Sequence, residues 1–213
     1  MTMLKKIAFA SAFIALIATA AILMGAARTS TSAAAVKVGD TAPDFTLTDL
    51  DGNKHTLSDY TNDGKIVVLE WFSPSCPFVR KHYRSDTGTM NKIEADHAND
   101  NIVWLRINSA HGQHPTADLT LNRDTAKDWD INSPILMDTT GKVGKQYGAK
   151  RTPDMYIITA DQTLAYHGAI DDRSDAAAPG DVNYVSNALA ELLAGKAVSN
   201  PQTKPYGCGV KYD

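Results

Sequence analysis

The sequence predicts an α/β domain with a mixed central sheet, and three observations carry that reading. Residues 66–72 (IVVLEWF) and 102–107 (IVWLRI) are rich in β-branched and aromatic residues, lack turn formers, and read as strands buried on both faces. Stretches of helical pattern alternate with such strands. A β-hairpin and a last amphipathic helix then close the sheet.

In chain order, Phe45-Thr46-Leu47 reads as a short strand, Asp51-Gly52 as a turn, and residues 55–57 as the hairpin partner. Ser73-Pro74-Ser75 breaks the first central strand. The pattern turns helical over 77–97, with Pro77 at the first helical position and Ser75 or Cys76 as its cap. Residues 119–130 suit an amphipathic helix, 135–137 a short strand, and 139–147 a helix that stops at Gly148. Residues 155–159 and 164–167 form a hairpin around Ala160-Asp161-Gln162. After a loop over 168–182, Asp181 is expected to cap a helix with Val182, Val185, Leu189, Leu192 and Leu193 as its apolar positions and Gly195 at its end. The tail beyond Gly195 is polar and proline-containing, and it carries Cys208.

Residues 1–35 stand apart from this pattern. Lys5 and Lys6 precede an apolar stretch, 7–27, interrupted only by Ser11 and Thr19, and Ala33-Ala34-Ala35 offers a small-x-small cleavage site. This is the order of a secretory signal. The stretch is also long enough to cross a bilayer core of about 30 Å, so an uncleaved anchor is the alternative. In both cases the lysines predict that residues 36–213 are translocated. The expected location is periplasmic or otherwise extracytoplasmic, with membrane attachment through residues 7–27 if no cleavage occurs.

Residues 36–213 have the size of one domain. The formal net charge of the chain is −3, and the leading segment holds Lys5, Lys6 and Arg28 but no acid, which leaves −6 on the domain. An acidic domain without a basic run excludes nucleic acid as an expected partner. The two cysteines, Cys76 and Cys208, allow one disulfide in an oxidising compartment. None of the histidines has zinc-finger spacing to either cysteine. His111, His114 and Asp118 read as surface residues rather than metal ligands. Asp171, Asp172, Asp175 and Asp181 lack the alternation of a calcium loop and read as a solvated acidic loop. No metal and no cofactor is expected.

A buried strand, a sharp break, a cysteine and then a helix place the Cys76 sulfur over unpaired helix N–H groups that favour a thiolate. Arg80, Lys81 and His82 are expected to add positive potential, and the loop position argues against burial in the core. Cys76 is thus the candidate nucleophile, with a buried structural cysteine as the alternative. Glu70 is an acid inside an apolar strand. If buried, its pKa is raised into a range suited to acid–base work; otherwise it faces solvent or pairs with a base.

The residues also carry a resemblance. Glu70-Trp71-Phe72-Ser73-Pro74-Ser75-Cys76-Pro77-Phe78-Val79 resembles the active-site segment of thioredoxins, with Cys76 at the place of the first cysteine. Thr152-Pro153 resembles the loop that holds that family's cis-proline. Val38-Gly39-Asp40-Thr41-Ala42-Pro43-Asp44-Phe45 resembles the opening of the redoxin branch (alkyl hydroperoxide reductase/thiol-specific antioxidant) that includes peroxiredoxins. Residues 204–212 (KPYGCGVKY) are similar to the tail of a peroxiredoxin-like group. The resemblance implies a thioredoxin fold with an N-terminal β-hairpin extension. It further implies that Glu70 is a proton-shuttling acid, that Thr152–Pro153 is a cis bond, and that Thr152, Pro153, Pro77 and Phe78 line a substrate groove. Two departures stand out. Val79 occupies the place of the second thioredoxin cysteine, which is also the place of the peroxide-reducing cysteine. Cys76 occupies the place of the peroxiredoxin threonine.

The function expected is an exported thiol–disulfide oxidoreductase with Cys76 as nucleophile and Cys208 or an external thiol as resolver. Its partners would be a protein or small-molecule thiol or disulfide and an external thiol reductant. A thiol peroxidase, and a non-catalytic domain with a permanent Cys76–Cys208 bridge, are the alternatives. Gly207 and Gly209 are expected to give the tail freedom to move. An internal pair requires that tail to fold back beside residues 75–77, with the two Cα atoms within about 7 Å.

Overall fold

The computed structural model describes residues 35–84, 86 and 88–212, so the expected signal or anchor in residues 7–27 lies outside the described residues. The strands are β1 (Thr46–Asp49), β2 (Lys54–Thr56), β3 (Ile66–Trp71), β4 (Ile102–Asn108), β5 (Ile135–Met137), β6 (Arg151–Thr152), β7 (Met155–Ile158), β8 (Leu164–Gly168) and β9 (Cys208–Gly209). The helices are α1 (Leu57–Asn62), α2 (Pro77–Arg80), α3 (Thr89–Asp96), α4 (Leu119–Asp128), α5 (Lys142–Tyr147) and α6 (Tyr184–Leu193), with a 3₁₀ turn at Pro115–Ala117. No helix among the described residues is long and apolar enough to cross a membrane.

β3 is central because its sequence is apolar on both faces. It pairs with β4 in parallel from Ile66↔Ile102 to Trp71↔Ile107, and with β7 antiparallel from Val67↔Ile158 to Glu70↔Met155. The seven-stranded order is β2-β1-β5-β4-β3-β7-β8, a mixed sheet with β1 and β2 as an antiparallel edge hairpin. Side chains alternate across a strand. Val67, Leu69 and Trp71 enter one core with Leu105, Ile107, Tyr147 and Tyr156. Val68 and Phe72 enter the opposite core with Cys76, Val79, Tyr83 and Trp104. The same alternation puts Glu70 on this second face.

The topology creates the site. β7 runs antiparallel to β3, so the start of β7 lies beside the end of β3, and Trp71 N donates to Asp154 O at 2.9 Å. The Thr152–Pro153 loop therefore arrives next to the loop that carries Cys76.

Several expectations need correction. The helix expected over 77–97 is two helices: α2 ends at Arg80 because Lys81 and His82 turn into buried positions, and α3 restarts after Gly88 in the left-handed region (φ 40°). The last helix is capped by Asn183, whose side chain accepts from Ser186 N, and not by Asp181; Val182 precedes it and is exposed. Residues 139–141 form a turn before α5, whose end at Gly148 (φ 74°) is as the sequence suggested. The short helix α1, directly after β2, was not foreseen.

Candidate active site

Cys76 is the N-cap residue of α2 but is only 2% exposed, contrary to the expectation of an accessible loop thiol. What covers it is the C-terminal tail. β9 pairs antiparallel with β6, with Thr152↔Cys208 and Arg151↔Gly209 in register. The Cys76 Sγ donates to Thr152 O at 3.0 Å, and the Cys208 thiol shares a hydrogen bond with Cys76. Both cysteines are free thiols. Burial, and then Cys76 itself, push the Cys208 thiol up to about 11, so Cys208 stays protonated at neutral pH.

The structure thus brings Cys76, Cys208, Thr152, Pro77 and Phe78 together. The Thr152–Pro153 bond is cis. Asp154, buried directly after it, accepts from Lys150 N and meets His167 Nε2 at 3.0 Å, which holds this loop from beneath. Gly207 lies against Phe78, and a Cβ there would fall 2.2 Å from Thr152 O. With φ at 110°, Gly207 is required by close approach and backbone sign, and not by the mobility expected of it. Gly209 meets no such obstacle.

Glu70 lies on the Cys76 face but bonds elsewhere. It is buried, Tyr83 OH donates to its Oε2, and Arg106 Nε lies 3.6 Å away. Arg106 Nε also donates to Tyr83 OH at 2.7 Å, and Arg106 Nη2 to Glu94 Oε2 at 2.9 Å. Burial, partly opposed by Arg106 and Tyr83, raises the Glu70 carboxyl to about 7. Its Oε1 has no hydrogen-bond partner, so a proton there neutralises a group that is costly to bury charged. Tyr83 and Arg106 escaped the sequence reading. A lone Arg in IVWLRI, level with the Glu in the neighbouring strand, was the available signal.

The positive potential expected from Lys81 and His82 is also corrected. The Lys81 side chain is buried, with Nζ 3.5 Å from Asp171 Oδ1 and donating to Arg173 O and Asp175 O. Burial lowers His82 to about 4, so it is neutral at pH 7. Asp171, expected in a solvated acidic loop, is 2% exposed. His114 and Asp118 act as local caps: each side chain accepts a backbone N–H at the start of its helix or turn.

The AhpC/TSA family pattern matches residues 38–167. The chain belongs to the AhpC/TSA family. The match stops before the tail that carries Cys208. Among curated relatives, the thiol-disulfide oxidoreductase ResA of Geobacillus thermodenitrificans is 30% identical over 60% of this chain and 67% of its own length. The thioredoxin-like protein YneN of Bacillus subtilis is 28% identical over 58% of this chain and 66% of its own. A hypothetical protein of Sinorhizobium meliloti superposes with a TM-score of 0.73 at 30% identity, over 84% of this chain and 96% of that one. An uncharacterized protein of Geobacillus kaustophilus gives 0.74 at 30% identity, over 83% and 93%. These relatives and the mixed sheet make the protein a thioredoxin-fold redoxin.

Proposed function

We propose that the protein is a thiol–disulfide oxidoreductase in which Cys76 is the nucleophile and Cys208 the internal resolving thiol. The observation that carries this reading is the placement of Cys208 opposite Thr152 in the β6–β9 pair, with its thiol hydrogen-bonded to Cys76. The names of relatives such as ResA support the same class of chemistry.

The Cys76 thiolate attacks one sulfur of a partner disulfide; that S–S bond breaks and the partner's other sulfur leaves as a thiolate. Cys208 loses its proton and attacks Cys76 Sγ, forming the Cys76–Cys208 bond and releasing the second partner sulfur. Two protons from the protein end on the partner's thiols, and the partner gains two electrons. An external dithiol restores the reduced protein by the same exchange in reverse. Thr152, Pro153, Pro77 and Phe78 line the place where the partner sulfur arrives. Glu70 holds a proton near neutral pH on the same face as Cys76, which suits a positioned acid.

The remaining parts of the proposal rest on sequence. Residues 36–213 act as one domain, residues 1–35 direct export, and the partner is an extracytoplasmic thiol or disulfide. Mixing the reduced protein with a peptide disulfide tests the chemistry. Mass spectrometry should show loss of two hydrogens and a Cys76–Cys208 crosslink, absent in Cys76→Ser. Peptide reduction that persists in Cys76→Ser would overturn the assignment.

A further inference from the structure

The tail is held by more than the two-residue β9 pairing. Upstream, Thr203 N donates to His167 O and Ala169 N to Thr203 Oγ1. Downstream, Val210 N donates to Lys150 O and Tyr212 OH to Ala149 O. The nearest upstream anchor is Tyr206, two residues before Cys208, and its surroundings are unlike those of the other anchors. The Tyr206 hydroxyl donates to Asp171 Oδ1 at 2.5 Å, and His82 Nε2 lies 3.0 Å from the Tyr206 hydroxyl oxygen. His82 is neutral at pH 7 and its Nδ1 is buried without a hydrogen-bond partner. The network therefore assigns the ring proton to Nε2, which donates to Tyr206. Lys81 Nζ stands 4.5 Å over the Tyr206 ring. Asp171 also accepts from Arg173 N and Gly180 N, so both its oxygens are bonded.

Lys81 and His82 follow α2 directly, and α2 begins at Cys76. One short segment thus carries the nucleophile at its start and a buried receptor for the tail at its end. On the tail, the tyrosine that fills the receptor is separated from Cys208 by Gly207 alone. Phe78, inside α2, lies 6.3 Å from the Tyr206 ring and completes the wall between the two points.

We propose that Tyr206 is the positioning residue of the resolving thiol: seated among Lys81, His82 and Asp171, it fixes Cys208 against Cys76 after the tail has yielded to a partner and returned. The inference rests on the reading of Cys208 as resolver. It follows that a partner reaches the buried Cys76 only when the tail leaves Thr152, and that the Tyr206 seat sets how readily this happens. Loss of the hydroxyl leaves one Asp171 lone pair and the His82 donor unpaired in a buried place, which favours the tail-out state.

The test uses the full chain, with Tyr206→Phe beside wild type and Cys208→Ser. Each reduced protein is mixed with a small aromatic disulfide, and the mixed disulfide on Cys76 is followed by quenched mass spectrometry. Tyr206→Phe should alkylate faster at Cys76, resolve its mixed disulfide about tenfold more slowly, and show a matching fall in the Cys76–Cys208 equilibrium against a glutathione buffer. His82→Gln keeps a neutral donor at the same place and should resolve at the wild-type rate. Should Tyr206→Phe disturb the fold by near-ultraviolet circular dichroism, His82→Leu removes the donor while leaving Tyr206 bonded to Asp171, and should slow resolution in the same direction. Wild-type resolution and equilibrium in a folded Tyr206→Phe protein would overturn the positioning role. If wild type and Cys208→Ser accumulate the same mixed disulfide, the resolver reading itself falls, a separate and distinguishable result.

Discussion

Two buried polar clusters are tied to the segment that begins at Cys76, and their carboxyl groups are held on opposite principles. In the first, Glu70, Tyr83 and Arg106 lie between β3, β4 and the turn after α2, and two atoms, Glu70 Oε1 and Arg106 Nη1, have no partner. In the second, Asp171 is bonded by Tyr206, Arg173 N and Gly180 N, with Lys81 as counter-charge. An incompletely satisfied carboxyl in a dry place holds its proton up to about 7 and exchanges it where thiol chemistry runs. A satisfied carboxylate is a fixed mechanical point. The difference separates a proton-handling cluster from a tail-holding one, although both sit at the same depth.

The largest expected effect is at the satisfied carboxylate, Asp171. Asp171→Ala removes the counter-charge nearest to the buried Lys81 and should cost about 3–5 kcal/mol in denaturant unfolding. Glu70→Gln should cost far less, because the native carboxyl already favours its neutral form. Equal losses in the two variants would erase the contrast. The next effect is in pH dependence. The folded Glu70 binds a proton up to about pH 7 against an ordinary value of 4.5, so its contribution to stability is full below 4.5 and is lost as pH rises towards 7. Glu70→Gln should remove that decline, and with it any thiol-exchange inflection near pH 7. A wild-type decline that survives in Glu70→Gln would assign it to another group. The smallest effect is at His82, where burial lowers the folded value from 6.5 to about 4. The unfolded chain binds more protons between those values, so stability falls as pH drops through the window. His82→Gln should flatten that acid slope and leave the rest of the unfolding curve in place; an unchanged slope would show that another group titrates there.

The first cluster was half legible in the sequence and the second barely so. Glu70 stands out because an acid in IVVLEWF contradicts its surroundings; Arg106 in IVWLRI carries the same contradiction, yet it was missed. The sheet was legible because β3, β4 and β7 are apolar along their whole length, a pattern that local burial enforces. The tail was not. Its β-pairing is two residues long and is fixed by Thr152, far away in sequence, while its anchors are a tyrosine and an aspartate in stretches that look like solvated loop. For the same reason Cys76 read as exposed: nothing near it in the chain reveals that residues 206–209 will cover it. Lys81 and His82 read as surface charge because their helix was expected to continue, and it ends where they turn inward.

The central claim is that Cys76 reacts and Cys208 resolves it, and trapping tests this most directly. Cys208→Ser, reduced and then mixed with a peptide disulfide, should accumulate one peptide per protein in mixed disulfide with Cys76, while wild type should pass to the Cys76–Cys208 crosslink and release the peptide. Equal release from both proteins, or a trapped peptide on Cys208 in Cys76→Ser at the wild-type rate, would contradict the account.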